Sequence, residues 1–169
     1  SLFYHKETGF LVGTTEVYGD CGTHCPTSKY AVVYVWDTKK RKTIHTSFPW
    51  KAKWIGAYDF SPEGKLIGFN GTQYYLFDIT TEEYEIRKWQ EKPVVGGLFM
   101  SNKYFFGATK EHLFQLDIKT NKIDLLEKTS GTFLFEKISE KEFLFNQDLT
   151  IVKKSTKKMR LSAPTFSRR

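Results

Sequence analysis

The sequence lacks a long apolar run and a recognisable leader. No stretch reaches the roughly 18 consecutive apolar residues of a membrane-spanning helix, so we expect no membrane span. Residues 1–6 include neither a methionine nor the pattern of a signal peptide. The chain is therefore expected to begin at an internal or processed position.

Linear catalytic motifs are also missing. The sequence has no nucleophile elbow, phosphate-binding loop, His-x-His pair or Glu-bearing metal helix. These absences argue against the common enzyme classes, and we predict no catalytic residues, no metal and no cofactor. Enzymes that gather catalytic residues from separate repeats leave no linear motif, so a catalytic alternative stays open.

Cysteine is scarce, with two in 169 residues. Cys21 and Cys25 lie beside His24 in a glycine- and proline-bounded insertion at residues 19–28. A loop disulfide would indicate an extracellular or periplasmic protein, and two free thiols a cytoplasmic one. A metal site that also uses His24 is a third possibility, although the spacing matches no common zinc pattern.

Aromatic residues, by contrast, are abundant at 17% of the chain. Residues 58–86 contain runs of Phe, Tyr, Leu and Ile, separated by turn signals at 61–64, 70–71 and 79–83. The pair Asn70-Gly71 predicts a type I′ hairpin. This stretch therefore predicts a four-stranded antiparallel meander of roughly 40 residues, the size of one propeller blade.

The same pattern recurs along the chain. Asp37, Asp78 and Asp117 are separated by 41 and 39 positions, and each follows an apolar strand and precedes a short alternating one. Each aspartate is expected to accept a hydrogen bond from a backbone N–H two residues further on, in a turn. Three copies with matched flanks predict a repeat protein.

The repeat divides the chain into blades at residues 1–49, 50–90, 91–129 and 130–154, followed by a basic strand or tail at 155–169. The predicted strands are 10–15, 30–36 and 43–48; 54–60, 66–69, 74–78 and 84–88; 94–100, 103–108, 113–117 and 123–127; and 132–135, 142–146 and 150–154. The local sequence at 81–91 also fits an amphipathic helix with a capping box. The alternation of the equivalent segments favours a strand there.

Two segments carry a family resemblance. Residues 60–66 (FSPEGKL), followed by a hairpin and Leu76-Phe77-Asp78, resemble a blade of a WD40-type or TolB-like β-propeller. Tyr34-Val35-Trp36-Asp37 resembles the third-strand end of a WD repeat, but the Gly-His pair of a full WD repeat is absent. The resemblance covers most of residues 30–127, identifies no specific family, and implies a binding platform built from rim loops.

Four blades of this size would just fill the chain. We predict an all-β fold of about four antiparallel four-stranded blades, forming part of a six- to eight-bladed ring. An incomplete ring exposes sheet faces and strand edges. It would therefore pair with another chain or with the rest of the propeller.

The net charge of +7 is concentrated at one end. Residues 151–169 hold seven basic residues and no acidic one: Lys153, Lys154, Lys157, Lys158, Arg160, Arg168 and Arg169. Removing these seven from the 26 basic residues leaves 19, equal to the 19 acidic residues. The tail is therefore either a solvated, lysine-protected end or a contact for a polyanion.

The blade-to-blade connections combine aromatic and basic residues. The candidate binding residues are Trp50, Lys51, Lys53 and Trp54 in the first connection, and Lys88, Trp89 and Lys92 in the second. Tryptophan flanked by lysine suits an acidic sugar, a peptide or exposed bases. The structural alternative is that each tryptophan packs between sheets and each lysine is solvated.

Two further residues have simple interpretations. His45 lies on the Thr43 side of an alternating strand and is expected to face solvent. Asn70-Gly71-Thr72 matches a glycosylation sequon, but the hairpin alone explains it.

Our first functional hypothesis is a non-catalytic binding or scaffolding module that presents rim loops to a protein or polymer. The alternative is a lyase or hydrolase acting on an acidic polysaccharide. A cleft with a carboxylate or histidine beside the tryptophans would favour the enzyme, and a flat rim with exposed aromatics the binding module.

Overall fold

The computed structural model describes residues 1–17, 29–89, 92–129, 135–139, 141–147 and 150–155. This part of the chain contains fifteen β-strands and no helix, so the all-β prediction is confirmed and no described helix is available to cross a membrane. The chain divides into two compact units, Ser1–Pro93 and Val94–Arg169.

Each unit contains two antiparallel sheets whose strands follow chain order. In the first unit, the first sheet consists of β1 (Leu2–His5), β2 (Phe10–Thr14), β3 (Val33–Asp37) and β4 (Lys42–Ser47), and the second of β5 (Asp59–Phe60), β6 (Lys65–Phe69), β7 (Gln73–Asp78) and β8 (Tyr84–Lys88). In the second unit, the third sheet consists of β9 (Val94–Phe99), β10 (Tyr104–Thr109), β11 (His112–Asp117) and β12 (Lys122–Lys128), and the fourth of β13 (Phe135–Ser139), β14 (Glu142–Gln147) and β15 (Thr150–Ser155).

The repeated aspartates form the predicted turns. Oδ1 of Asp37 accepts hydrogen bonds from the backbone N–H groups of Lys39 and Lys40, both at 2.9 Å. Oδ1 of Asp78 accepts from the Thr80 N–H at 2.9 Å, and Oδ1 of Asp117 from the Lys119 N–H at 3.0 Å. The carboxylates thus satisfy the N–H groups that the hairpins leave unpaired.

Acid should weaken these turns. The Lys40 N–H hydrogen bond is the largest cause that lowers the pKa of Asp37. A pKa lowered by folding gives stability that is present above the unfolded value of about 3.9 and is lost as the pH falls through the folded pKa. Below about pH 4, we expect the urea concentration at the unfolding midpoint to decrease, and to decrease less in Asp37→Asn than in the wild type. An equal fall in both proteins would contradict a role for this carboxylate.

Each turn ends in a residue with left-handed backbone, four positions after the aspartate. The φ angles are 51° at Arg41, 60° at Glu82 and 58° at Asn121. Asparagine adopts this conformation more readily than other non-glycine residues. The third turn therefore carries the favourable residue, and the first two carry strain.

Replacing Arg41 with asparagine should relieve that strain. We expect Arg41→Asn to raise the free energy of unfolding by roughly 0.5–1 kcal/mol, measured by urea unfolding of the full chain. Lys39→Asn is the control, because Lys39 lies in the same turn without a positive φ. An equal gain in both variants would rule out backbone strain as the cause.

A second repeated feature is a glycine covered by an aromatic ring. Across β2–β3, β6–β7 and β10–β11, the paired residues are Gly13 and Tyr34, Gly68 and Tyr75, and Gly107 and Phe114. A Cβ atom on these glycines would lie 2.3, 2.4 and 2.4 Å from the facing ring. Each ring thus occupies the space that a side chain on the facing residue would need.

Aromatic and aliphatic residues fill the interior of each unit. The first two sheets pack through Val12, Val33 and Val35 against Leu66, Tyr75 and Phe77. In the second unit, Leu98, Phe106 and Leu113 pack with Phe143 and Phe145. Burial of these side chains is the main force that holds the sheets together.

Several strand predictions differ from the structure. Strand β1, which pairs with β2 and begins the first sheet, was not predicted from the sequence. A strand was predicted at 54–60, where the structure has only the two-residue β5. Of the strand predicted at 132–135, only Phe135 is among the described residues, and it begins β13. Residues 84–88 form β8 and not a helix, as the repeat predicted.

The Asn70-Gly71 hairpin forms with a different turn. Of its residues only Gly71, at 88°, has a positive φ, whereas type I′ requires two such residues. The Asn70 N–H donates to the Gln73 carbonyl at 3.0 Å, so Gly71 and Thr72 are the central residues. Oδ1 of Asn70 accepts from the Gln73 N–H at 2.9 Å. The asparagine therefore caps the turn from outside its two central positions.

Candidate binding surface

The first connection, residues 48–58, is held against the segments that flank it. The Ala31 N–H donates to the Ala52 carbonyl at 2.8 Å, and the Val17 N–H donates to the Lys53 carbonyl at 2.7 Å. Trp54 forms an isolated antiparallel bridge with Glu16. These backbone bonds fix the path of the connection, so its side chains have defined directions.

The two tryptophans of this connection differ in exposure. Trp50 is half-buried, and its ring centroid lies 5.2 Å from that of Tyr75 in the second sheet. Its Nε1 atom is buried and has no hydrogen-bond partner among the described residues. The ring of Trp54 is 47% exposed. Trp50 therefore anchors the connection, and Trp54 is available to a ligand.

Other aromatic and basic residues lie on the same connection or on residues 29–30, next to Ala31, which is hydrogen-bonded to it. Phe48 is 52% exposed, and its ring lies edge-on to Tyr30 at 6.5 Å between centroids. The Lys29 Nζ lies 5.6 Å from the centroid of the Tyr30 ring. We call the set formed by Lys29, Tyr30, Phe48, Lys51, Lys53 and Trp54 the aromatic–basic surface.

The lysines of the first connection carry unneutralised charge. Lys51 and Lys53 are exposed, and neither forms an ion pair with another described residue. An acidic ligand would not have to displace an ion-pair partner among the described residues to reach them.

The second connection is built differently. Trp89 is 3% exposed, its centroid lies 4.8 Å from that of Phe69, and its Nε1–H donates to the Lys92 carbonyl at 3.0 Å. Lys88 and Lys92 are exposed. Of the candidate residues in this connection, the two lysines reach the surface and the tryptophan packs inside.

The other candidate site residues from the sequence lie outside the part of the chain that the structure describes. Cys21, His24 and Cys25 lie outside the described residues, as does the basic tail beyond Ser155, and their roles stay predictions. Among the residues that the structure describes, no cluster of three His, Cys, Asp or Glu side chains has the arrangement of a metal site.

His45 does not face solvent, contrary to the expectation from alternation. Val35 is opposite His45 and Trp36 is opposite Thr43, so Ile44 is the extra residue of a β-bulge. The bulge interrupts the alternation and turns His45 inward, where its side chain is 18% exposed. There it contacts residues from the second sheet that lie far away in sequence.

Consecutive antiparallel sheets, each built from strands that are neighbours in sequence, are the blades of a β-propeller fold. Three solved structures resemble the chain: U3-55K, the WD40 repeats of RRP9, and the β-propeller domain of Cps50 (Swd1) from Myceliophteria thermophila. Their TM-scores are 0.68, 0.59 and 0.65, and their sequence identities 11%, 12% and 12%. No protein-family model and no curated protein matches the chain.

The chain matches only part of each solved structure. The alignments cover 94%, 78% and 95% of this chain but 46%, 44% and 52% of the three neighbours. The chain thus spans about half the length of these propellers. That coverage agrees with the predicted segment of a larger ring.

Proposed function

We propose that the chain is a non-catalytic binding or scaffolding module that presents the aromatic–basic surface to a protein partner. The observation that carries this proposal is the exposure of Trp54 on a connection held by backbone hydrogen bonds. Exposed tryptophan is enriched among the residues that dominate binding energy at protein interfaces.

The surroundings of Trp54 support the same conclusion. Phe48 adds a second exposed ring, and Lys51 and Lys53 add charges that attract and orient an acidic partner. A pre-ordered connection loses little conformational entropy on binding. The propeller fold supports a protein-binding role, and the partner is either a separate protein or further blades of the same propeller.

A comparative capture experiment tests this proposal. The full chain would be immobilised as wild type, Trp54→Ser and Tyr4→Ser, and the bound proteins quantified by mass spectrometry. Tyr4 is the matched control, because it is an exposed aromatic residue (58%) on β1 outside the aromatic–basic surface. We expect a partner that wild type and Tyr4→Ser retain and Trp54→Ser loses.

Two results would contradict the proposal. One is capture of the same proteins in equal amounts by all three variants, given that circular dichroism shows each to be folded. The other is cleavage of an acidic polysaccharide by the wild-type chain, detected as new reducing or unsaturated ends. That second result would establish the catalytic alternative.

A further inference from the structure

Four polar side chains form a hydrogen-bonded chain between the first two sheets. His45 Nδ1 lies 2.8 Å from Oε2 of Glu82, and His45 Nε2 lies 2.9 Å from Oγ of Ser47. Oγ of Ser47 in turn lies 2.5 Å from the hydroxyl of Tyr84. His45 and Ser47 belong to β4, whereas Glu82 precedes β8 and Tyr84 begins it. We call these four residues the His45 relay.

The relay has a defined direction when His45 is neutral. A carboxylate only accepts hydrogen bonds, so the imidazole must carry its proton on Nδ1 to donate to Glu82. Nε2 then accepts from the Ser47 hydroxyl, and Ser47 Oγ accepts from Tyr84. Burial raises the pKa of Tyr84 to about 12, so its hydroxyl keeps its proton and donates.

We propose that the His45 relay is a proton-responsive contact between the outer strands of the first two sheets. Protonation of His45 places a second N–H on the ring, at Nε2, and this group must donate to Ser47 Oγ. The Ser47 hydroxyl thereby loses Nε2 as its acceptor, and the Tyr84 hydroxyl oxygen, 2.5 Å away, is the next acceptor along the relay. We therefore expect Ser47 to donate to Tyr84, and the Tyr84 hydroxyl to turn to another acceptor. One proton taken up at His45 thus reverses the hydrogen bonds through to Tyr84.

The polar contacts of His45 come from the other members of the relay. The His45 ring stacks on Phe77 at 5.5 Å, and Val35 lies opposite it in β3, so these two neighbours carry no charge. Within the relay, Glu82 and Tyr84 are the titratable groups that face His45 and Ser47 from the second sheet. The titratable Tyr75 packs on the Tyr84 ring, with 5.8 Å between the centroids. Glu82 is 43% exposed, which gives protons a route from solvent.

The relay also has the donor order of a Ser–His–acid triad, but its geometry favours a structural role. The Tyr84 hydroxyl is hydrogen-bonded to Oγ of Ser47 at 2.5 Å. The Tyr84 ring packs in the core, with its centroid 4.7 Å from that of Phe77. A substrate carbonyl would have to displace this ring to reach Ser47. Both β4 and β8 are the last strands of their sheets, so the relay connects two sheet edges.

Nuclear magnetic resonance of the full chain, with labelled histidine and tyrosine, tests the proposal. At neutral His45 we expect the Nδ1–H tautomer, which is the less common form of free imidazole. On acidification, the Tyr84 signals should change together with the His45 signals. In Ser47→Ala, the Tyr84 signals should no longer follow those of His45.

The controls separate the relay from a general effect of pH. His112 is the reference histidine, because it belongs to β11 in the second unit and is not a member of the relay. Glu82→Ala should move neutral His45 toward the Nε2–H tautomer and leave His112 unchanged. An Nε2–H tautomer in the wild type, or Tyr84 signals that still follow His45 in Ser47→Ala, would overturn the proposal.

Discussion

Replacing Gly68 with alanine is expected to lower the free energy of unfolding by about 3 kcal/mol or more, measured by urea unfolding of the full chain. A Cβ atom at this position would lie 1.9 Å from the Gly56 carbonyl oxygen and 2.4 Å from the Tyr75 ring. The carbonyl belongs to the backbone, so it cannot move aside by rotating a side chain. Both the close approach of residue 56 and the packing of Tyr75 depend on the absence of a side chain.

Gly71→Ala provides the matched control. Gly71 has a φ of 88°, and a Cβ atom there would meet no other atom within 4 Å. Alanine at this position is therefore strained but not crowded, and we expect a loss of only about 1–2 kcal/mol. If Gly68→Ala lowered the free energy of unfolding no more than Gly71→Ala does, crowding at Gly68 would not be the cause of the loss.

Truncation of Phe77 should have a comparable effect. Its side chain is fully buried, and it packs on Tyr84 at 4.7 Å and on His45 at 5.5 Å between ring centroids. Phe77→Ala removes a ring that contacts both sheets of the first unit and leaves a cavity between them. We expect a loss of about 3–5 kcal/mol in urea unfolding.

Ile86→Ala is the control for this prediction. Ile86 belongs to the same sheet, in β8, but is 44% exposed. Its truncation should cost less than about 1 kcal/mol, since half-exposed side chains lose little burial. Equal losses in the two variants would contradict the assignment of Phe77 to the core.

The repeated turns were accessible from sequence because their causes are local. An aspartate that bonds to N–H groups two and three residues on needs no distant partner, so Asp37, Asp78 and Asp117 were found by spacing alone. The aromatic rings that lie over Gly13, Gly68 and Gly107 also repeat in the sequence, although no prediction was based on them. Tyr34, Tyr75 and Phe114 each stand three residues before these aspartates, so they share the spacings of 41 and 39.

The missed features depend on tertiary context. The bulge at Ile44 has no mark in the sequence, and without it the alternation places His45 on the wrong face. Glu82 lies 37 positions from His45, so no local spacing indicates their contact. Likewise, the exposed Trp54 and the buried Trp89 have similar basic neighbours, and only packing distinguishes them.

The affinity of a captured partner for the Trp54 variant tests the central claim most directly. Calorimetry would compare wild type, Trp54→Ser and Tyr4→Ser, each as the full chain. Loss of an interface residue that dominates binding costs about 2 kcal/mol or more, so Trp54→Ser should bind at least about 30-fold more weakly. Tyr4→Ser should bind as the wild type does. Equal affinities for wild type and Trp54→Ser would show that the partner binds elsewhere, and would contradict the aromatic–basic surface as the binding site.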